Sequence, residues 1–341
     1  MNFVIHTEPG QHSFTVAPGQ TILEAAIQQR IGLPYGCRDG KCGSCTAELL
    51  SGEVDYPSGK THALTGQPEK ACLTCQAVPT SDLVLLVSEL ETAADITVRT
   101  LPCRIAEKAT LNHDVIRLRL KLPDGQRLQF LAGQYLEFML PDGRKRAFSM
   151  ASAPHDDALV ELHVRRVPGG EFTDFVFDQM QEKAILRIQG PLGTFVLREA
   201  SPRPMIFIGG GTGFAPLKGL LEHAFHLGIE RPMTLYWGVR SRRDLYLGEL
   251  PEQWAKQHEN FHYVPVLSEA DADWDGRRGF VHGAVLEDHP DIAGYDVYMS
   301  GPPIMVEAGR SAFEARGLSM DHMFSDAFEW AADSPKRSAD G

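Results

Sequence analysis

The chain lacks what a partner of polyanions or a bilayer protein needs. Lys and Arg number 33 against 45 Asp and Glu, a net charge of −12, so attraction to a phosphate backbone by bulk charge is disfavoured and nucleic acid is not an expected partner. No segment approaches the ~20 consecutive apolar residues of a membrane helix. The first residues, Met1 to Gly10, carry no basic patch leading into an apolar stretch, and the reading is a cytoplasmic chain without an export signal. Repeats and low-complexity tracts are absent as well. With 43% hydrophobic and 23% charged residues the composition is that of a packed globular protein. Cysteine is scarce: there are six, five of them between Cys37 and Cys75, with only Cys103 elsewhere. Where thiols stay reduced, such clustering points to metal ligands rather than disulfide staples.

At 341 residues the chain exceeds one ordinary core, and two or three domains are expected. Alternating runs Asn2–Thr7 and His12–Val16, separated by Pro9 and Gly10, predict a hairpin. Thr21-Ile22-Leu23-Glu24 is a capping box that opens a helix to about Arg30, stopped by Gly32 and Pro34. Val84–Val87 predicts a last apolar strand before a polar connection at Glu91–Asp95, which bounds a first domain over 1–95. From 98 to 200, short strands at Val115–Leu122, Tyr135–Leu140, Leu159–Val167 and Ala184–Ile188, with Pro-Asp-Gly turns at 123 and 141, suggest an antiparallel barrel. Ser201-Pro202-Arg203-Pro204 breaks that pattern. Over 201–332, strands at Met205–Ile208, Met233–Trp237, Phe261–Val266 and Val297–Met299 accompany a helix at Pro216–Leu227, which implies a doubly wound parallel sheet. Residues 333–341 read as a polar tail.

Gly36-Cys37-Arg38-Asp39-Gly40-Lys41-Cys42-Gly43-Ser44-Cys45 is C-x4-C-x2-C, with 29 residues between Cys45 and Cys75. This is the plant-type [2Fe-2S] spacing, with Cys37, Cys42, Cys45 and Cys75 as ligands. A cluster with charged sulfur edges needs ligands on one tight loop, and Gly36, Gly40 and Gly43 let backbone amides turn toward the sulfurs. Cys42-x2-Cys45 with Cys72-x2-Cys75 is an alternative four-thiolate zinc spacing. It leaves Cys37 without a task and the glycines unexplained. On the iron reading Cys72 is a bystander or a substitute ligand. Residues 1 to about 90, including Leu73-Thr74-Cys75, resemble a plant-type ferredoxin domain, which implies a β-grasp fold.

Arg146-Ala147-Phe148-Ser149 follows a predicted strand and precedes Ser152-Ala153-Pro154; R-x-F-S alone is a short pattern. In order after it come His163-Val164-Arg165-Arg166-Val167-Pro168-Gly169-Gly170 and Gly190-Pro191-Leu192-Gly193-Thr194-Phe195. Together these resemble the FAD-binding barrel of the ferredoxin-NADP reductase superfamily. The resemblance implies that Arg146 pairs with the flavin pyrophosphate through its planar fork. It also implies that Phe148 contacts the flavin, that Ser149 hydrogen-bonds near its N5, and that Val164 and Arg165 flank the ring and ribityl chain. Gly170 to Thr173 would offer amides and a hydroxyl to phosphate. Arg166 reads equally as an exterior charge, and Gly190 and Gly193 as turn residues. Many relatives carry Tyr where Phe148 stands.

Gly209-Gly210-Gly211-Thr212-Gly213-Phe214-Ala215-Pro216 lies between a strand and a helix, a turn that lets backbone approach a pyrophosphate at a helix N-terminus. It departs from G-x-G-x-x-G and is similar instead to the reductases' G-G-G-T-G-x-A-P, with Ser300-Gly301-Pro302-Pro303 as its companion. The resemblance puts Gly210, Gly211, Thr212, Gly213, Gly301 and Pro302 at the dinucleotide and Ser300 beside the nicotinamide, where relatives usually carry Cys. Gly238–Asp244 should meet the adenosine ribose. No acid sits cleanly at that strand end, and Arg240 and its neighbours suit either a 2′-phosphate or a solvated face. NADH is the expectation, with NADPH open. Phe324-Ser325-Asp326-Ala327-Phe328 matches a terminal segment lying over the flavin, Phe328 being a flavin cover or a core aromatic.

Residues 1–92 carry 10 acids against 5 bases, 99–200 carry 13 against 15, and 201–341 carry 21 against 13. The least acidic third is the one expected to hold an anionic cofactor. The domain order implies an oxidoreductase in which electrons pass from NAD(P)H through FAD to the [2Fe-2S] cluster and on to a partner protein. Ser149 and Ser300 stand at the hydride-transfer centre, and no general acid or base is required. Over almost the whole chain the order resembles the reductases of CDP-6-deoxy-Δ3,4-glucoseen formation, which feed a sugar dehydrase, most closely around Leu128–Tyr135, Glu161–Asp174 and Gly190–Arg198. It also resembles the reductase components of multicomponent oxygenases. A flavin or ferric reductase, and a non-catalytic metal-binding docking module, are the remaining alternatives.

Overall fold

The computed structural model describes residues 2–90 and 96–328; the expected connector at 91–95 and the tail from 333 lie outside the described residues. The chain divides into two compact units, Met1–Thr97 with Gly193–Phe195, and Val98–Leu192 with Val196–Gly341.

In the first unit, β1 (Phe3–Pro9) and β2 (Ser13–Val16) form the expected antiparallel hairpin. The helix Ile22–Gln28 opens at the expected capping box. The Glu24 amide donates to Thr21 Oγ1, and the Thr21 amide to Glu24 Oε2, both at 3.2 Å. β3 (Thr46–Ser51), β4 (Val54–Asp55), β5 (Ala71–Leu73), β6 (Val78–Pro79) and β7 (Leu83–Val87) follow. The main sheet runs β2-β1-β7-β3-β5, and β4 and β6 make a separate pair. The first and last strands are parallel neighbours, Ile5 opposite Leu83. Ile5, Phe14, Ile22, Leu23, Leu83 and Leu85 fill the core between sheet and helix. This is the β-grasp arrangement, and it leaves the cysteine loop between the helix and β3.

The second unit opens with β8 (Arg99–Thr110), whose buried Leu101, Cys103 and Ile105 alternate with exposed Pro102 and Arg104. β9 (Val115–Lys121), β10 (Tyr135–Met139), β11 (Lys145–Ser149), β12 (Val160–Arg165) and β13 (Ile185–Leu192) complete a six-stranded sheet ordered β11-β10-β13-β8-β9-β12, antiparallel throughout. Its edges meet where Met150, just past β11, bridges Leu162 of β12, closing the barrel. Arg146–Ser149 is thus a strand rather than the loop beside one.

The nucleotide-type half holds β14 (Met205–Gly210), β15 (Met233–Val239), β16 (Phe261–Leu267), β17 (Arg277–Arg278), β18 (Asp296–Gly301) and β19 (Met323–Ala327). All are parallel, in the order β17-β16-β15-β14-β18-β19. Helices Phe214–His226, Glu249–Gln257, Val281–Asp288 and Pro303–Glu314 connect them. Every residue of the central β14 is buried, as a strand covered on both faces requires. The helix after it starts two residues ahead of the expected Pro216, because Gly211–Gly213 forms a short 3-10 turn leading straight into Phe214. Pro216 sits in the first turn, where its missing N–H costs nothing. Gly219 of this helix lets it close on the barrel, since a Cβ there would come 2.8 Å from the Ser152 carbonyl oxygen.

Candidate functional site

The thiols of the cysteine loop gather two and two. Cys45 Sγ lies 3.2 Å from Cys75 Sγ, and Cys37 hydrogen-bonds Cys42. Within each pair the two thiols are shifted in opposite directions. The bond to Cys42 pushes the Cys37 thiol up while the same bond takes Cys42 down to about 5; Cys45 is pushed up and Cys75 lowered in the same way. Backbone amides are aimed at sulfur. The Cys37 amide donates to Cys42 Sγ at 3.4 Å, and those of Asp39 and Cys42 to Cys37 Sγ at 3.3 and 3.5 Å. Gly40 has φ +71°, and a Cβ there would fall 2.0 Å from the Lys60 carbonyl oxygen. Gly36 leaves only 3.2 Å between a would-be Cβ and Cys42 Sγ. Among the described residues no three His, Cys, Asp or Glu side chains converge on a single ion. Two thiol pairs ringed by amides fit a two-iron cluster better than one tetrahedral ion. Cys72 is fully buried in β5 opposite Ala47, its thiol beside the Tyr56 hydroxyl, and burial pushes it up to about 11.

On the barrel, Arg146 and Phe148 share the half-covered face of β11. Phe148 packs edge-on to Phe138 at 5.8 Å and against Phe172 at 5.7 Å between ring centroids. Val164 is fully buried in the barrel core, so its side chain cannot flank a flavin, and the strand offers only its main chain there. Arg165, on the opposite face, donates to Asp114 Oδ2 at 2.7 Å. The expected phosphate loop at Gly170–Thr173 is the start of the helix Glu171–Asp178, with Gly170 as N-cap. The Thr173 hydroxyl is spent inside this turn, donating to Gly170 O at 3.0 Å and accepting from the Val167 amide at 3.1 Å. What the turn can present to an anion is the first amides of the helix. Arg166 is an exterior charge, held by Asp174 and Asp178.

The glycine turn is shaped from both sides. Trp237 Nε1 donates to Gly211 O at 2.9 Å, and a Cβ on Gly211, which has φ +55°, would lie 2.9 Å from Arg165 Nη1. A Cβ on Gly213 would fall 1.9 Å from Ser300 O, so only glycine lets the turn meet the end of β18. Thr212 is buried, and Gly210 abuts Pro302 and Met305. Ser300 itself is fully buried, and among the described residues its Oγ has no hydrogen-bond partner, an arrangement that costs a buried hydroxyl about 1–3 kcal/mol unless something else meets it. Arg240 is exposed past the end of β15. The nearby acid, Asp244, is consumed locally, accepting from the Ser241 amide and hydroxyl at 2.9 Å each. Arg242 lies over the Trp274 ring.

Strand β19 joins these parts. Asp326 is the register partner of Ser300, and Ser149 Oγ donates to Asp326 Oδ2 at 2.6 Å. The carboxylate that holds the barrel serine thus stands on the strand beside the one that carries Ser300. Phe328 follows β19, half-buried, its amide donating to Gly301 O at 2.9 Å. Asp326 was legible only as a member of the Phe324–Phe328 segment; no spacing distinguishes it.

A buried polar chain supports the turn from below. His163 Nε2 meets Glu161 Oε1, and its Nδ1 meets the Tyr246 hydroxyl, both at 3.0 Å. Tyr246 packs edge-on to Trp237 at 5.1 Å. Burial would raise the Glu161 carboxyl, but the His163 hydrogen bond and the Lys218 charge outweigh it and hold the group well below the usual carboxylate range. Ionised Glu161 therefore accepts from Nε2–H, leaving Nδ1 to accept from Tyr246. Sequence reading singled out none of the three, because their meaning lies in the contact between barrel and helix.

Three family profiles match: a 2Fe-2S iron-sulfur cluster binding domain over residues 5–80, an oxidoreductase FAD-binding domain over 102–197 and an oxidoreductase NAD-binding domain over 207–311. Among curated proteins the chain is 39% identical to protein RfbI of Salmonella typhimurium strain LT2, covering 96% of this chain and 97% of that one. It is also 39% identical to the CDP-6-deoxy-L-threo-D-glycero-4-hexulose-3-dehydrase reductase of Yersinia pestis, covering 96% and 99%. Among solved structures it resembles the Amycolatopsis cytochrome P450 reductase GcoB, with a TM-score of 0.77, 36% identity and coverage of 96% and 98%. No helix among the described residues is long and apolar enough to cross a membrane.

Proposed function

Because the chain belongs to the ferredoxin-NADP reductase superfamily, as an iron-sulfur flavoprotein with 2Fe-2S, FAD-binding and NAD-binding domains, we propose that it delivers electrons from NADH to a sugar dehydrase of the CDP-6-deoxy-hexulose type. That it is an NAD(P)H-dependent oxidoreductase follows from the family. The choice of dehydrase rests on the 39% identity over nearly the full length to a reductase named for that enzyme. An oxygenase as acceptor is the second reading, favoured by the likeness to a cytochrome P450 reductase. A cytoplasmic setting suits four free thiols that must stay reduced until iron arrives.

The observation that carries the reading is the Ser149–Asp326 hydrogen bond, which fixes the barrel strand to the strand next to Ser300. In this reading Arg146 holds the flavin pyrophosphate, Phe148 and Phe328 lie against the flavin, and Ser149, fixed by Asp326, meets the ring edge. The first amides of the helix after Gly170 face a phosphate. The turn from Gly210 to Gly213, with Gly301 and Pro302, receives the dinucleotide, Arg240 meets its ribose, and Ser300 lies at the nicotinamide. Cys37 with Cys42 holds one iron, and Cys45 with Cys75 the other. Bound flavin supplies the exchange between a two-electron hydride and the single electrons that iron accepts. The protein's own part is positioning and electrostatics.

The test is anaerobic. The protein is reduced with NADH, then with NADPH, and mixed with purified dehydrase or oxygenase while the visible spectrum reports cluster reoxidation. NADH should be preferred and the dehydrase should reoxidise the cluster; reoxidation by the oxygenase alone would transfer the assignment to the second reading.

A further inference from the structure

Gln76 follows Cys75 and is only 8% exposed. Its amide is oriented from two sides. Ser58 Oγ donates to Oε1 at 2.7 Å, while accepting from the Lys60 amide at 3.2 Å. Nε2 donates to Arg38 O at 2.8 Å and lies 3.7 Å from Cys75 Sγ. Turning the amide over would set Oε1 against a carbonyl oxygen and a sulfur, both acceptors, so one orientation satisfies all its partners. The two amide hydrogens then serve one carbonyl of the cysteine loop and one thiol. Cys37 and Cys42 receive backbone amides, which substitution cannot remove, and Cys42 also a hydrogen bond from the Ser44 side chain. For Cys75 the donor includes a side chain, and the interaction can be altered without rebuilding the loop.

Hydrogen bonds to ligand sulfurs favour the more negative, reduced state of an iron-sulfur centre and are among the terms that set its potential. We propose that Gln76 is a positioning residue that fixes Cys75 against the Arg38 turn and raises the reduction potential of the cluster. The proposal rests on the reading of Cys75 as a ligand. Gln76→Leu removes the donor, Gln76→Glu replaces it with a charge that opposes reduction, and Ser58→Ala keeps the amide but frees its orientation.

The experiment is a redox titration of the full-length holoprotein, with the cluster followed by EPR and the flavin by visible absorbance. The cluster potential should shift down in Gln76→Leu, further in Gln76→Glu and less in Ser58→Ala, while the flavin potential stays put as an internal control. Wild-type cluster potential in both Gln76 variants, at full iron content, overturns the proposal. If Gln76→Leu loses its iron, Ser58→Ala decides: a lowered cluster potential supports the proposal and an unchanged one overturns it. Cys75→Ser separates the two readings, because a variant that keeps both irons and the wild-type EPR signal would show that Cys75 is not a ligand.

Discussion

Ser149 and Asp326, 177 residues apart, are joined by a 2.6 Å hydrogen bond from hydroxyl to carboxylate. The bond ties a barrel strand to the strand next to Ser300, so its loss should disturb how two bound molecules face each other rather than whether they bind. Asp326→Ala is expected to slow NADH reduction of the flavin by about 10²-fold, the scale of a small misalignment at a reacting centre, at unchanged FAD content. Asp326→Asn keeps an acceptor oxygen and should lose less. Stopped-flow absorbance measures both, and a wild-type rate in Asp326→Ala would remove the carboxylate from the site.

Serine in place of Cys37, Cys42, Cys45 or Cys75 should lower iron content and abolish delivery to one-electron acceptors while sparing NADH-driven reduction of two-electron dyes. Cys72→Ser and Cys103→Ser should keep both irons, since these thiols sit buried in β5 and β8, outside the two thiol pairs. Iron analysis with activity measurement checks the set; an iron-free Cys72→Ser protein would bring back the four-thiolate zinc grouping.

The orphaned Ser300 hydroxyl gives a stability prediction. Ser300→Ala removes a buried polar atom that meets no hydrogen-bond partner among the described residues, and should stabilise the ligand-free protein by about 1 kcal/mol. Flavin reduction should slow in the same variant if the hydroxyl meets the nicotinamide. Denaturant midpoints and single-turnover rates test the two halves separately.

Acid should loosen the support beneath the glycine turn. Burial lowers His163 from its usual 6.5, and Glu161 is held below its usual 4.5. The unfolded chain therefore takes up protons at both sites before the folded chain does, and stability falls as pH drops through those values. His163→Gln removes one of the titrations. Its melting temperature should fall less steeply than that of the unaltered protein between about pH 7 and about pH 5. Parallel slopes would assign the acid sensitivity to other groups.

Local signals carried much of the architecture. The Thr21–Glu24 capping box, the short strands at Val115–Leu122 and Leu159–Val167 and the glycine turn before Phe214 each stand in a few consecutive residues, and each has its counterpart in the structure. What the sequence hid depends on distant neighbours. The phosphate role read for Thr173 ignored that a glycine N-cap followed by Glu171 and Asp174 starts a helix. Val164 lies in a motif that resembles a flavin contact, yet strand alternation turns its side chain into the core. Asp326, Tyr246 and Gln76 carry no motif, and their tasks emerge only where strands from remote parts of the chain come together.

The parallel pairing of β1 with β7 bears on biogenesis. During synthesis the opening hairpin has no central neighbour until Leu83 leaves the ribosome, after the four cysteines of the candidate cluster have already emerged. The sulfur loop is therefore shaped late, by a tertiary contact of high sequence separation. A ribosome-stalled product ending before residue 83 lacks this pairing and should be unable to retain metal.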